Sequence, residues 1–164
     1  MKRVFILHLL PLEFYPPITN LLHVLDSKRD FKVKVFSTKN NKNRASFKSK
    51  SIAIFRTVYP AYTSHLLAKL WAYFAYIVYP LYRLILFKPD SLVYYEPHSA
   101  MPAYLYKRFF NRKVRLFIHY HEYYSKDDFN GPSMAAVRFF HKLEVSFLYR
   151  HAKWISQTNK DRLD

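Results

Sequence analysis

Arg115-Leu-Phe-Ile-His-Tyr-His-Glu-Tyr-Tyr124 is the stretch that decides how this chain is read. It starts as an apolar run, the pattern of a strand buried on both faces of a parallel sheet, and breaks without a gap into His119, His121 and Glu122. In an open parallel sheet, ligands gather just beyond the carboxyl ends of the strands. Polar residues that interrupt such a run therefore stand where chemistry is done.

The same signature recurs outward from this point. Residues 3–10 are apolar apart from Arg3 and His8, residues 90–95 end at Glu96-Pro97-His98, and residues 153–157 run into Thr158 and Asn159. Residues 31–37 alternate apolar and basic, as a strand near a sheet edge does, and residues 51–55 supply a further strand. Helical segments fall between the strands: Pro17 to Ser27 with Pro17 in its first turn, Ser99 to Phe110, and Pro132 to His151. In the last, Val137, Phe140, Leu143, Phe147 and Leu148 recur at three and four residues. Strand and helix alternate throughout, which predicts an α/β, Rossmann-like parallel sheet of six strands with helices on both faces, spanning residues 1–164 as one domain.

Composition narrows the chemistry. With a single glycine, Gly131, tight phosphate-cradling turns are scarce, and with no cysteine, disulfides and thiolate catalysis are excluded. There is no P-loop, no Gly-x-Gly-x-x-Gly and no Gly-x-Ser-x-Gly elbow. The net charge of +16 implies an anionic partner: nucleic acid, a membrane surface or a phosphorylated substrate. Base composition is the bland alternative, since Lys, Asn, Phe, Tyr and Ile are what an AT-rich genome favours. No recognised nucleic-acid module is present, so nucleic acid is not the expected partner. Met1-Lys-Arg and residues 4–10 resemble a signal peptide superficially, but prolines follow in place of a small-residue cleavage site. A first strand and a cytoplasmic location are expected.

Residues 62–87 are unusual. Thirteen uncharged residues, Leu70 to Tyr82, lie between Lys69 and Arg83. With Pro80 expected to kink it, the segment reads as too short to cross a bilayer, where about 20 apolar residues are needed. Its alternatives are a crossover helix packed on the sheet or an interfacial helix that meets an anionic membrane through Lys69, Trp71, Tyr73, Tyr76, Tyr79 and Arg83.

A histidine beside a carboxylate exchanges protons near neutral pH, or donates to an anionic oxygen when charged. On a continuing strand His119 and His121 share a face and Glu122 takes the other; a strand that stops at Ile118 loses that geometry. No third ligand stands at a diagnostic spacing, so no metal is expected.

Residues 117–125, followed by His141-Lys-Leu-Glu-Val-Ser-Phe-Leu-Tyr-Arg-His-Ala-Lys-Trp-Ile-Ser-Gln-Thr-Asn159, resemble the amino-terminal domain of family four glycosyltransferases, which have the GT-B architecture of two Rossmann-like domains. The resemblance implies transfer of a sugar from a nucleotide sugar, the donor serving as substrate with no cofactor, to a glycan or lipid-linked acceptor. By the same resemblance His121, with Glu122 beside it, lines the catalytic cleft, while His119, Glu96, His98 and Asn159 contact substrate. Two departures stand out. Pro11-Leu-Glu-Phe-Tyr-Pro-Pro-Ile18 replaces the family's glycine-rich turn, and no second, donor-binding domain is found in these 164 residues. The expectation is an acceptor-side half, interrupted at its carboxyl end, inactive alone and peripheral to a membrane. The alternative is a non-catalytic membrane-recruitment subunit that partners a separate donor-binding chain.

Overall fold

A computed structural model describes residues 1–39, 45–59, 65–121 and 134–157. The strands β1 (Lys2–His8), β2 (Phe31–Thr38), β3 (Ala53–Thr57), β4 (Ser91–Tyr95), β5 (Arg115–Tyr120) and β6 (Ala152–Gln157) form one parallel sheet in the order β3-β2-β1-β4-β5-β6. All six match the expected runs within two residues at each end, the third being shifted by two as a whole. The strand order reverses between β1 and β4, which opens a crevice at their carboxyl ends. Residues 4–8 of β1 are all buried, as a central strand covered on both faces requires.

Helix α1 (Pro16–Ser27) lies on the front face, where Ile18 and Leu22 pack on Val4, Ile6, Val33 and Val35. The back face holds α2 (Leu66–Phe87), α3 (Ala100–Leu105) and α4 (Ala135–Leu143), which runs on through a wide turn at Glu144–Leu148 into Tyr149–His151. Phe5, Leu7, Phe36, Leu92, Tyr94, Leu116 and Ile118 form the floor under these helices. Right-handed crossovers explain the division: the chain moves one way from β1 to β3 and the other way from β4 to β6, so the helices fall on opposite faces.

Helix α2 corrects two expectations. The 22-residue helix, with Pro80 inside it, is long and apolar enough to span a membrane by length and composition. Tyr76, expected on the outward face, is 1% exposed, and its hydroxyl donates to Ser99 Oγ at 3.1 Å. Tyr76, Pro80, Leu84 and Phe87 recur at helical spacing and bury one stripe in the core. Tyr73 and Tyr79 pack partly against that core, and Tyr79 lies edge-on to Phe36 at 5.2 Å. Arg83 stacks on Tyr79 and on Phe55 of β3. The outward stripe is Leu67, Trp71, Phe74, Val78, Tyr82 and Leu86, with Trp71 69% exposed.

Because the two stripes bury differently, substitutions along α2 will separate cleanly. Leu84→Ala should cost about 2–5 kcal/mol and Trp71→Ala no more than about 0.5 kcal/mol in urea unfolding. Equal costs would place both stripes in the same environment and refute the assignment.

Candidate functional site

The site begins with the loop after β1. Leu9 and Leu10 have left the ladder, and side-chain hydroxyls take its place: Leu9 N–H donates to Ser99 Oγ at 2.9 Å, Thr38 Oγ1 to Leu9 O at 2.5 Å and Ser37 Oγ to Leu10 O at 2.7 Å. Buried backbone groups need such partners. They fix the strand end, and with it His8, which is fully buried. A short turn at Leu12–Phe14 then brings Tyr15 back over the sheet.

Strand pairing supplies the rest. Tyr95 of β4 stands opposite His8 on one side and His119 on the other, so three rings line up across the end of the sheet. Strand β5 runs on to Tyr120, past Ile118, and His119 and His121 do share a face, with ring centroids 5.1 Å apart. The His121 ring stacks on Tyr15 at 4.8 Å and on Tyr95 at 5.3 Å, and stands edge-on to His8 at 5.7 Å. The result is an aromatic box around one imidazole.

Glu96 holds this box from behind. Its φ of 64° and ψ of 154° fall in a region that favours glycine, at a cost of order 1–3 kcal/mol for another residue. The strained turn points its carboxylate at β5: Oε1 accepts the His121 backbone N–H at 2.5 Å, while the Glu96 N–H donates to His119 O at 3.1 Å. Glu96 is 3% exposed, so it positions the cluster from below more than it faces a substrate. His98 follows on the turn Pro97–Ser99, half-buried. Glu122 and Asn159 lie outside the described residues.

Burial sets the electrostatics. It lowers the pKa of His8 well below the usual imidazole value, helped by His121, and lowers those of His98 and His119. For His121, burial and then the neighbouring His119 bring it down to about 4. The charged imidazole expected as a donor to an anionic oxygen is therefore absent at neutral pH. A neutral His121 accepts a proton or a hydrogen bond at one ring nitrogen and donates from the other. Tyr15 and Tyr95 were not foreseen: one sits in a proline-rich loop, the other inside an apolar strand, and neither position marks itself as functional. Among the described residues no group of three His, Asp or Glu is arranged to hold a metal ion.

On the back of the same strand ends lies a second polar group. Glu144, fully buried, meets His141 Nδ1 at 3.2 Å, and Tyr120 and Tyr149 join hydroxyls at 2.8 Å beside it. Burial raises the Glu144 pKa.

No family model matches the sequence, and no curated protein does. Solved structures do resemble the fold. A sucrose-phosphate synthase from Thermosynechococcus elongatus aligns over 99% of this chain and 79% of its own at 11% identity, with a TM-score of 0.62. UDP-N-acetylglucosamine 2-epimerase from Rickettsia bellii aligns over 98% of this chain at 14% identity, with a TM-score of 0.57. TcCGT1, solved in complex with UDP, aligns over 73% at 15% identity, with a TM-score of 0.53. The fold is thus that of one GT-B domain. The chain spans 40% of the epimerase and 28% of TcCGT1.

Acidification should destabilise the fold through these histidines. Unfolded, each binds its proton near 6.5; folded, each binds it only at lower pH, so their stabilising contribution is complete above about 6.5 and is lost as pH falls toward 4. Glu144 acts oppositely, its raised pKa favouring the folded state at low pH and that contribution fading as pH rises through it. Followed by NMR, the His121 ring protons should titrate near 4. A midpoint near 6.5 would mean an open, solvated imidazole.

Proposed function

We propose that this chain is the acceptor-side domain of a glycosyltransferase that moves a sugar from a nucleotide-sugar donor to a membrane-associated or cell-surface glycan, or to a lipid-linked acceptor. The observation that carries the reading is the box of Tyr15, Tyr95, His8, His119 and His121 at the carboxyl ends of β1, β4 and β5, in the crevice of a fold that matches one GT-B domain. A second GT-B domain, in cis or in trans, grips the donor nucleotide. That TcCGT1 was solved with UDP supports a nucleotide sugar as the donor. His121, neutral and walled by aromatic faces, is positioned to hold an acceptor hydroxyl by hydrogen bond. His119 and His98 complete the polar rim. Glu122, as a catalytic partner of His121, and Asn159, as a substrate contact, enter this reading on the family resemblance alone.

The domain works at the cytoplasmic face of a membrane. Its outward α2 stripe, flanked by Lys69 and Lys88, offers an anionic bilayer both apolar side chains and positive charge. The same stripe favours the second reading, a recruitment subunit without catalysis of its own.

With a donor-binding domain supplied, His121→Ala should lower turnover about 10²–10⁴-fold while circular dichroism stays unchanged; undiminished turnover would remove His121 from the reaction. In vesicle flotation with anionic lipid, Trp71→Glu with Phe74→Glu should weaken binding more than about 100-fold, since each apolar side chain contributes about 1.5–3 kcal/mol on leaving water. If the double variant floats as wild type does, the membrane claim fails.

A further inference from the structure

A small cavity lies between helices of the back face, at the amino ends of β5 and β6 and so at the far end of the sheet from the histidine cluster. Lys107, Arg108, Arg112, Phe147 and His151 line it, and its volume is about 120 Å³. Both walls are irregular. The wide turn Tyr106–Phe110 continues α3 and closes where Asn111 N–H donates to Tyr106 O, five residues back, at 2.9 Å. Opposite it, Tyr149 N–H closes the turn Glu144–Leu148 on Glu144 O in the same way. Such turns are rare inside helices and occur frequently at functional sites.

The walls are braced by the protein itself. Lys107, 7% exposed, donates from Nζ to Arg112 O and to Val114 O, each at 2.7 Å, and so fixes the turn into β5. His151 stacks on Phe147 at 4.2 Å and donates from Nδ1 to Phe147 O at 2.8 Å. Cations at helix carboxyl ends ordinarily answer the carbonyls there, and here Lys107 and His151 already do. Arg108 and Arg112 are left over. Both are exposed, the Arg108 guanidinium lies over the Phe147 ring at 5.7 Å, and neither forms an ion pair with a described carboxylate. Across residues 97–121 and 134–157 the only acid is Glu144, which is fully buried against His141. The cations crowd one another, since burial and then Lys153 lower the Lys107 pKa. An anion would relieve them.

We infer that this cavity binds the phosphate of an anionic lipid headgroup, with Arg108 and Arg112 donating to its oxygens. A guanidinium pairs with phosphate through two parallel N–H groups, and one stacked on an aromatic face keeps those groups free in its own plane. Size sets the class of ligand. At about 30 Å³ for each water the space takes roughly four, enough for a tetrahedral oxyanion and too little for a nucleotide or a sugar, whose pockets begin near about 300 Å³. The rest of the ligand must lie outside, where Phe109 and Phe110 stand exposed next to Arg108 on a turn that packs beside α2. A lipid meets both conditions, phosphate in the cavity and acyl chains along the aromatic rim. The choice of a lipid rests on the membrane part of the reading above; the anion site itself does not. Strand β5 has six residues, roughly 20 Å at about 3.3 Å each, so a lipid held here leaves the crevice free.

The test is flotation on phosphatidylcholine vesicles carrying phosphatidic acid against vesicles carrying oleate at the same surface charge, which compares an unshielded phosphate with a carboxylate. Wild type should bind phosphatidic acid at least tenfold more tightly, and inorganic phosphate in solution should shift the His151 ring protons in NMR. Arg108→Gln with Arg112→Gln should abolish the preference and the shift at an unchanged melting temperature, whereas Arg138→Gln with Lys142→Gln, which takes the same charge from α4, should keep both. If the first pair does not fold, Arg108→Lys with Arg112→Lys retains the charge and should still lose the preference, because an ammonium does not pair bidentately. A preference that survives loss of both arginines, or equal binding to the two vesicles with no phosphate shift, would overturn the site. A phosphate shift with no preference between vesicles overturns the lipid as the source and assigns a soluble phosphate. Flotation that depends on Trp71 and Phe74 but not on phosphate removes this site and leaves the membrane reading. A preference that holds while Trp71→Glu with Phe74→Glu floats as wild type removes the α2 contact and leaves this site.

Discussion

Everything in this structure depends on β1 being buried on both faces between β2 and β4. A parallel strand in that position cannot be reached by tight turns, so the chain must leave and return by crossovers, and their fixed hand sends the helices to opposite faces on either side of it. The reversal leaves the carboxyl ends of β1 and β4 facing a crevice with no connection across it. His8 and Tyr95 are opposite each other there because the register makes them so.

The crevice is held open by backbone groups whose partners lie far away in sequence. Hydroxyls of Ser37, Thr38 and Ser99 take up the polar groups of Leu9 and Leu10, and Tyr76 ties α2 to the same Ser99. Across the gap, the strained Glu96 fastens β4 to the end of β5. Strain of about 1–3 kcal/mol at a non-glycine residue persists where surrounding bonds over-determine it, and such residues cluster at functional sites. One consequence is electrostatic. Rings packed this tightly exclude water, so the histidines stay neutral, and a cluster that composition would read as a source of positive charge becomes an uncharged, aromatic surface.

The helix α2 shows how a uniformly apolar segment divides its labour. Its sequence offers apolar residues all round, and only its packing against the sheet and its neighbouring helices decides which stripe is used. Tyr76, Leu84 and Phe87 meet the core, while Leu67, Trp71 and Phe74 do not. The remaining outward face exceeds what scattered surface residues account for, and such patches mark interaction surfaces.

The alternation of apolar runs with 3.6-residue periodicity was enough to place the six strands in an α/β parallel sheet, and the polar residues that interrupt those runs marked His8, Glu96, His98, His119 and His121 at the ends that matter. These features are local: side-chain period and strand burial are written along the chain. The sequence could not reveal that Tyr15 and Tyr95 enclose His121, that Glu96 serves the backbone, that Tyr76 faces inward, or that Arg108 and His151 line one cavity. Each of these depends on register and on which helix lies over which strand, so they join residues up to about a hundred positions apart by a geometry no local pattern encodes. Protonation state belongs to the same group, because desolvation is a property of the packed site and not of the residue.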